Sequence, residues 1–439
     1  MITSSTARAP SHLRIACHSR LQRLCLRHLV TMAPAPKRSR ALLLLPPLPF
    51  PISYPRVKAA YAPSLLTVLK ELAKSPRPSE GQALLQIALA VDDLSAAQLH
   101  PRSRVYAHVH QLVAHLYKLV CITASKQAID TEGPEGIDAR VTLVSHSKDP
   151  DSVGRVSSHE SSSDDARHGP VVSVRTLARS SRIWDTVYSV SSGAGLSFLN
   201  AFLLHCEITP HYIQIQGGIE HVAEDAGPLT MSTESSKQDR NHLSVAVGGT
   251  FDHLHIGHKL LLTMFTFVLA DVAEPRVLTV GITGDALLVN KKYAEQLESW
   301  KRRQEATHEF LSSLVWFGAE DDARIRVQEF HEPGPNGHAV HVEYPTGLTV
   351  RYVEIWDPFG PTITDKEITA LVLSLETRGG GEAVNKKRNE QGWDPLEVFE
   401  VAVLDASEEG NVDETFQSKL SSTEIRKKRS ERLEARFRA

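Results

Sequence analysis

Residues 243–262, LSVAVGGTFDHLHIGHKLLL, constrain the fold more than any other stretch of this chain. Leu243, Val245 and Val247 are short apolar residues leading into Gly248 and Gly249, the pattern of a buried strand ending where backbone can approach a ligand closely. Gly257 then opens a helical apolar pattern through Leu260, Leu261, Met264, Phe265 and Val268. A strand, a loop and a helix start in that order predict an α/β layer whose helix N-terminus, with its free amides and dipole, favours phosphate. His255 and His258 lie in that loop on either side of Ile256 and Gly257, so both imidazoles can donate to one anion. In a chain with 21 histidines such a pair alone would mean little. What gives it weight is the whole run of Gly248, Gly249, Thr250, Phe251, Asp252, His255, Gly257 and His258 between strand and helix. Metal ligation by the pair lacks a carboxylate or thiol at a fitting spacing.

A length of 439 residues predicts two or three domains. A net charge of −3 argues against general nucleic-acid binding. Cys17, Cys25, Cys121 and Cys206 are scattered, with no disulfide or zinc framework, which predicts a reducing compartment and a cytoplasmic location. Before the first acidic residue, Glu71, come Arg8, Arg14, Arg20, Arg23 and Arg27, a composition resembling a mitochondrial transit peptide. The alternative is a start at Met32 with 1–31 an extension. The apolar run at 41–45 is too short to span a bilayer and reads as a buried strand, so no membrane span is expected.

Three regions follow. Residues 1–39 are a basic extension, 40–240 an α/β region of unknown type, and 241–439 a separate α/β domain. In the middle region, strands are expected at 41–45, 83–91, 139–144 and 184–190, with helices at 61–75 and 105–126. His108, His110 and His115 read as the solvated face of the second helix. A Ser-, Asp- and His-rich stretch at 145–169 has almost nothing to bury and reads as a disordered linker. No GxxxxGK[ST] phosphate loop occurs anywhere in the chain.

In the last region, a strand at 276–282 leads to Lys291 and Lys292, placed to neutralise phosphate at a strand's carboxyl end. A third strand is expected at 325–330, then a hairpin insertion through Gly334, Asn336, Gly337 and Gly347. A fourth strand at 371–375 precedes Arg378, a triple glycine and a polar helix carrying Arg388, an arrangement suited to an anion. After a fifth strand at 398–404, Ser421 and Glu424 fit a capping box; the amides and hydroxyls of Ser422 and Thr423, with Arg426, suit a terminal phosphate.

The run GGTFDHLHIGH resembles the GTFD and HxGH signatures of the nucleotidyltransferase superfamily. Together with LLVNKKY, DPFGP, SLETRGGGEAVNKKR and LSSTEIRKKR in that order, it resembles the eukaryotic-type phosphopantetheine adenylyltransferases over about the last 200 residues. The resemblance implies a doubly wound, Rossmann-like parallel sheet. It also implies transfer of AMP from ATP to 4'-phosphopantetheine, giving dephospho-coenzyme A and pyrophosphate by direct in-line attack. Under it, His258 assisted by His255 faces the oxygens at the α-phosphorus, Thr250 and Phe251 sit on the phosphopantetheine side, and Lys291 or Lys292 bridges both substrates. Gly248, Gly249, Gly257, Arg378, Arg388, Ser421, Ser422 and Thr423 fall to ATP, with Mg2+ on its phosphates. With no Walker loop, the following kinase step belongs to another protein. Two alternatives stand beside this reading. A cytidylyltransferase would carry a motif like RTEGIST where residues 417–423 read QSKLSST. A scaffold would use its N-terminal half to recruit other coenzyme A enzymes.

Overall fold

The computed structural model describes residues 39–48, 51–74, 82–91, 101–133, 136–146, 170–218, 240–402 and 421–438. The expected basic extension except Ser39, nearly all of the expected linker and the polar run at 219–239 lie outside the described residues.

The leucines at 42–45 show why the first sheet is parallel and covered on both faces. They form most of β1 (Arg40–Leu45); Leu43 and Leu45 enter one core while Leu42 and Leu44 enter another. A strand buried on both sides reads as a continuous apolar run rather than an alternating one. The first core lies under α1 (Tyr54–Lys74) and α2 (Tyr106–Lys126). The second lies under α3 (Val174–Ala178) and α4 (Gly193–His205), where Phe198, Leu199 and Phe202 are buried. The remaining strands are β2 (Ala83–Val91), β3 (Ile137–Ser145), β4 (Val171–Ser173), β5 (Thr186–Val190) and β6 (Tyr212–Ile215), in the order β4-β3-β2-β1-β5-β6, all parallel. Helix α1 starts earlier than its apolar pattern suggests and runs through Pro63. Proline frees a carbonyl in the preceding turn, and residues 216–218 approach there, Gly218 N–H donating to the Ala60 carbonyl (3.0 Å).

The second sheet has seven strands in the order β13-β12-β7-β8-β11-β10-β9. Five are parallel: β7 (Ser244–Gly249), β8 (Arg276–Thr283), β11 (Leu348–Ile355), β12 (Ala370–Ser374) and β13 (Glu397–Val401). The third parallel strand is thus β11, not the segment at 325–330. That segment becomes β9 (Arg326–His331), which pairs antiparallel with β10 (His338–Glu343) at the sheet edge. Its residues are almost all exposed, as an edge strand tolerates. Helices α5 (Ile256–Val268), α6 (Trp300–Val315), α7 (Arg378–Glu390) and α8 (Ser422–Arg438) complete the doubly wound α/β architecture.

The two sheets share one continuous apolar core, because α2 packs against α5. The face of α2 expected to be solvated is half-buried at His108, His110 and His115. His110 accepts a hydrogen bond from the Ala402 N–H (3.2 Å), and burial lowers its pKa to about 4, with His115 adding to the effect. Across the same contact, Lys259 donates to Asp138 (2.6 Å), which also receives Arg140 (2.6 Å), and Arg140 reaches Glu309 on α6 (2.9 Å). Among the described residues, no helix is long and apolar enough to cross a membrane.

Candidate functional site

The site begins where two strands part. β7 pairs with β12 as far as Val247 and Val372, while Gly248 and Gly249 pair only with Gly281 and Ile282 of β8. A crevice thus opens at the carboxyl ends of parallel strands, where the winding direction of the sheet reverses and ligands of such sheets bind. The loop from β7 to α5 forms one lip. The other is the end of β12 and the first turn of α7.

The first lip is held in a costly conformation. Phe251 and His253 have φ of +52° and +48°, in the left-handed region that side chains avoid. The turn drives the Phe251 ring inward, fully buried. A Cβ at Gly249 would meet that ring at 3.0 Å, so a larger residue at 249 would press on Phe251 and require it to give way. Phe251, expected on the substrate side, is fully buried under the loop and shapes it from beneath.

His255 is the residue before the first turn of α5, and His258 lies in that turn. Their rings stack with centroids 3.9 Å apart and planes 22° apart. Each Nδ1 is buried without a hydrogen-bond partner among the described residues, an expense that native proteins reserve for few places. Burial first, then His258 and Lys259, hold the His255 pKa well below the ordinary value. Burial and then His253 bring His258 down to about 4, with Glu298 opposing. At neutral pH both rings are uncharged, and each has one N–H to give.

Two buried residues knit the surrounding loops. Asp252 accepts from the Glu298 N–H (3.0 Å) and from Arg426 (2.5 Å), and its carbonyl accepts from the Ser422 hydroxyl (2.8 Å). Arg303 donates to the carbonyls of Thr250 (2.6 Å), Thr283 (2.8 Å) and Glu298 (3.0 Å) and to Asp285 (2.6 Å). The loops after β7 and β8 and the start of α6 are thereby tied to one guanidinium. Asp252 belongs to the run singled out in the sequence, but Arg303 did not stand out, since an arginine in a helical pattern carries no local mark of its partners.

The other expected residues divide. Lys291 and Lys292 are exposed in the loop after β8, and the Lys292 carbonyl accepts from Arg426 (3.0 Å). Ser421, Ser422 and Thr423 come to this loop through α8, but the Ser422 hydroxyl and Arg426 are engaged on Asp252, and the Thr423 hydroxyl accepts from Arg426 (3.2 Å). Gly257 lies in the first turn of α5. The triple glycine is no loose turn: Gly379, Gly380 and Gly381 are in the first turns of α7, behind an exposed Arg378 paired with Glu400 (2.7 and 2.5 Å). Arg388 is corrected outright. It is buried, and its five donor positions go to the carbonyls of Thr362, Asp365, Lys366, Ile368 and Asp394. It anchors the chain before β12 and has no donor left for a phosphate.

Residues 32–221 match a family described as a domain of unknown function, DUF8446. An uncharacterized protein of Schizosaccharomyces pombe is 34% identical over 244 residues, which are 55% of this chain and 64% of that one. The phosphopantetheine adenylyltransferase of Saccharomyces cerevisiae is 39% identical over 191 residues, 43% of this chain and 50% of that one. This chain thus spans 50% and 64% of the length of the two yeast relatives. The protein of the same name from Pyrococcus abyssi is 30% identical over 160 residues, 36% of this chain and 78% of the archaeal one. On that coverage, the chain belongs to the phosphopantetheine adenylyltransferase family.

Proposed function

We propose that this protein transfers AMP from ATP to 4'-phosphopantetheine, forming dephospho-coenzyme A and pyrophosphate, a step of coenzyme A biosynthesis. The observation that carries the reading is the stacked, uncharged His255–His258 pair at the start of α5, beside the opening between β7 and β12. A phosphate oxygen of phosphopantetheine attacks the α-phosphorus of ATP, and the bond to pyrophosphate breaks on the opposite side. No covalent enzyme intermediate is required, so catalysis rests on position and on stabilising charge that moves toward the leaving group.

His258, with His255 beside it, donates to the oxygens around the α-phosphorus. A neutral donor in a site pre-set by Asp252 and Arg303 need not reorganise during the reaction. Thr250 lies on the lip where the accepting phosphate would rest, and its carbonyl is fixed by Arg303. Exposed Lys291 and Lys292 supply mobile positive charge for both substrates. The amides of Ser421, Ser422 and Thr423 remain for the outer phosphates of ATP. Asp252 and Glu298 are poor metal ligands, because their oxygens already receive Arg426 and the N–H groups of Glu298 and His253. Mg2+ would therefore arrive on the nucleotide, neutralising charge on the pyrophosphate.

The test is pyrophosphate release by the full chain with 4'-phosphopantetheine and either Mg-ATP or Mg-CTP. Release with ATP, lowered about a hundredfold in His258→Ala (about 3 kcal/mol of barrier), is the expected result. Activity with CTP alone would replace this reading with a cytidylyltransferase.

A further inference from the structure

A second cluster of ligand-type side chains lies at the β9–β10 edge of the second sheet. His331 and His338 are cross-strand partners, and Glu329, two residues before His331, shares its face of β9. Glu329 Oε1 is 3.3 Å from His331 Nε2 and 3.4 Å from His338 Nε2. The His338 ring is fixed on its other sides. Its Nδ1 is 2.7 Å from Glu354 Oε2, its ring stacks on His331 at 4.8 Å, and Trp300 packs against it at 4.2 Å. Trp300 is itself pinned by its indole N–H on the Ile282 carbonyl (3.2 Å).

The two carboxylate contacts of His338 differ in length. The Glu354 contact has the length of a strong hydrogen bond, so His338 Nδ1 donates to Glu354 and Nε2 is the nitrogen that faces Glu329. Glu329, His331 and His338 thus bring three metal-ligating atoms to within 4.8 Å of one another. Separations of 3.3 and 3.4 Å are long for charge-assisted hydrogen bonds. They match the edge of a tetrahedron, about 3.3 Å for metal–ligand bonds of about 2.0–2.1 Å. A carboxylate on the far nitrogen of a ligating histidine is the usual orienting partner in such sites.

We propose that Glu329, His331 and His338 bind a first-row divalent cation of the zinc class, water taking the fourth position and Glu354 orienting His338. Two histidines and a carboxylate suit zinc in ligand type and geometry. The cation joins β9 to β10 at the otherwise exposed edge of the sheet and leaves the crevice between β7 and β12 untouched.

Cobalt(II) is the probe, since it reports tetrahedral ligation by its visible absorption. The full chain, freed of metal and titrated with Co2+, should take up one equivalent with a tetrahedral band that Zn2+ displaces. His331→Ala and Glu329→Gln should each abolish that band while pyrophosphate release stays at the wild-type rate. Glu354→Gln should keep the band and weaken cobalt binding about 10–100-fold. Far-ultraviolet circular dichroism matching the wild type establishes that the variants fold. Absence of a tetrahedral band in the wild type, or a band of equal intensity in His331→Ala and Glu329→Gln, overturns the proposal.

Discussion

The two sheets are wound alike and end differently. In each, the first strand lies inside the sheet, later strands add on one side, and the chain then crosses to the other. In the first sheet, the place where this reversal occurs is filled by the chain itself. β1 and β5 stay paired through Leu44 and Ser189, and the segment after β6 runs across the end of β5 onto α1. It runs so close that a Cβ at Gly217 would lie 2.4 Å from Val190 Cγ1, and one at Gly218 1.7 Å from the Ala59 carbonyl. In the second sheet the corresponding strands part after Val247 and Val372, and the gap is edged by strained backbone and uncharged histidines. One topology thus ends in a filled crevice in one half and an open one in the other, and what the carboxyl ends carry makes the difference.

If the first sheet serves as support, the largest effect should come from the ion cluster joining it to α5. Lys259 immediately follows His258, is buried, and is matched by Asp138. Burial pushes the Asp138 carboxyl up, but Arg140 and Lys259 more than reverse this and hold it below the usual range. Removing the carboxylate strands a buried ammonium, at a cost of about 3–5 kcal/mol. Asp138→Ala should show that loss in urea unfolding, and adding Lys259→Met should recover much of it. Because the folded pKa is depressed, the stability this carboxylate lends is present above its ordinary value near 4 and fades as pH falls further. Full pyrophosphate release by Asp138→Ala under conditions where it is folded would break the comparison, showing that the second sheet holds its site unaided.

The histidine pair gives the next effect, of opposite character. His258 falls to about 4 from an ordinary 6.5, so between those values the unfolded chain binds more protons than the native one. Stability should therefore decline as pH drops from about 6.5 toward 4, by an amount on the order of 3 kcal/mol for this residue. His258→Asn should flatten that part of the stability–pH curve while lowering activity. An unchanged slope would mean that the pair is not held neutral by its burial.

How far the sequence reveals this depends on how local each signal is. The strand, loop and helix from Val245 to Val268 and the start of α8 are legible because glycines, caps and apolar spacing lie within a few residues of one another. The third parallel strand was hidden because Arg351 and Glu354 interrupt its apolar pattern. Their partners, Asp365 (3.1 Å) and His338 (2.7 Å), are met only in the fold. Lys259 and Asp138 are 121 positions apart, and Asp252 and Arg426 are 174 apart, so no local pattern could mark them as pairs. Arg388 misled for the same reason: beside a triple glycine it reads as an anion ligand, and only the folded chain brings it five carbonyls.

A smaller effect tests the closed end of the first sheet. Gly218→Ala drives a methyl into the Ala59 carbonyl, backbone that cannot rotate away. A cost of about 1–3 kcal/mol is expected in thermal or urea unfolding, with pyrophosphate release unchanged. An alanine accepted without loss would mean that the segment lifts off α1 freely and that the two ends are less unlike than they look.

The smallest effect concerns Gly379 and Gly380 on the second lip of the crevice. Neither has a φ in the left-handed region, and a Cβ at either would meet nothing within 4 Å. Local packing therefore gives no reason for glycine, yet within a helix each costs about 0.5–1 kcal/mol relative to alanine. Both lie in the first turn of α7, where amide groups have no intrahelical partner. If nucleotide phosphates rest on those amides, a bare backbone allows an approach that a methyl group would obstruct. Gly380→Ala should then raise stability by about 0.5–1 kcal/mol while raising KM for ATP severalfold and sparing kcat. A gain in stability with KM unchanged would place the nucleotide on the histidine lip alone and leave the start of α7 outside the site.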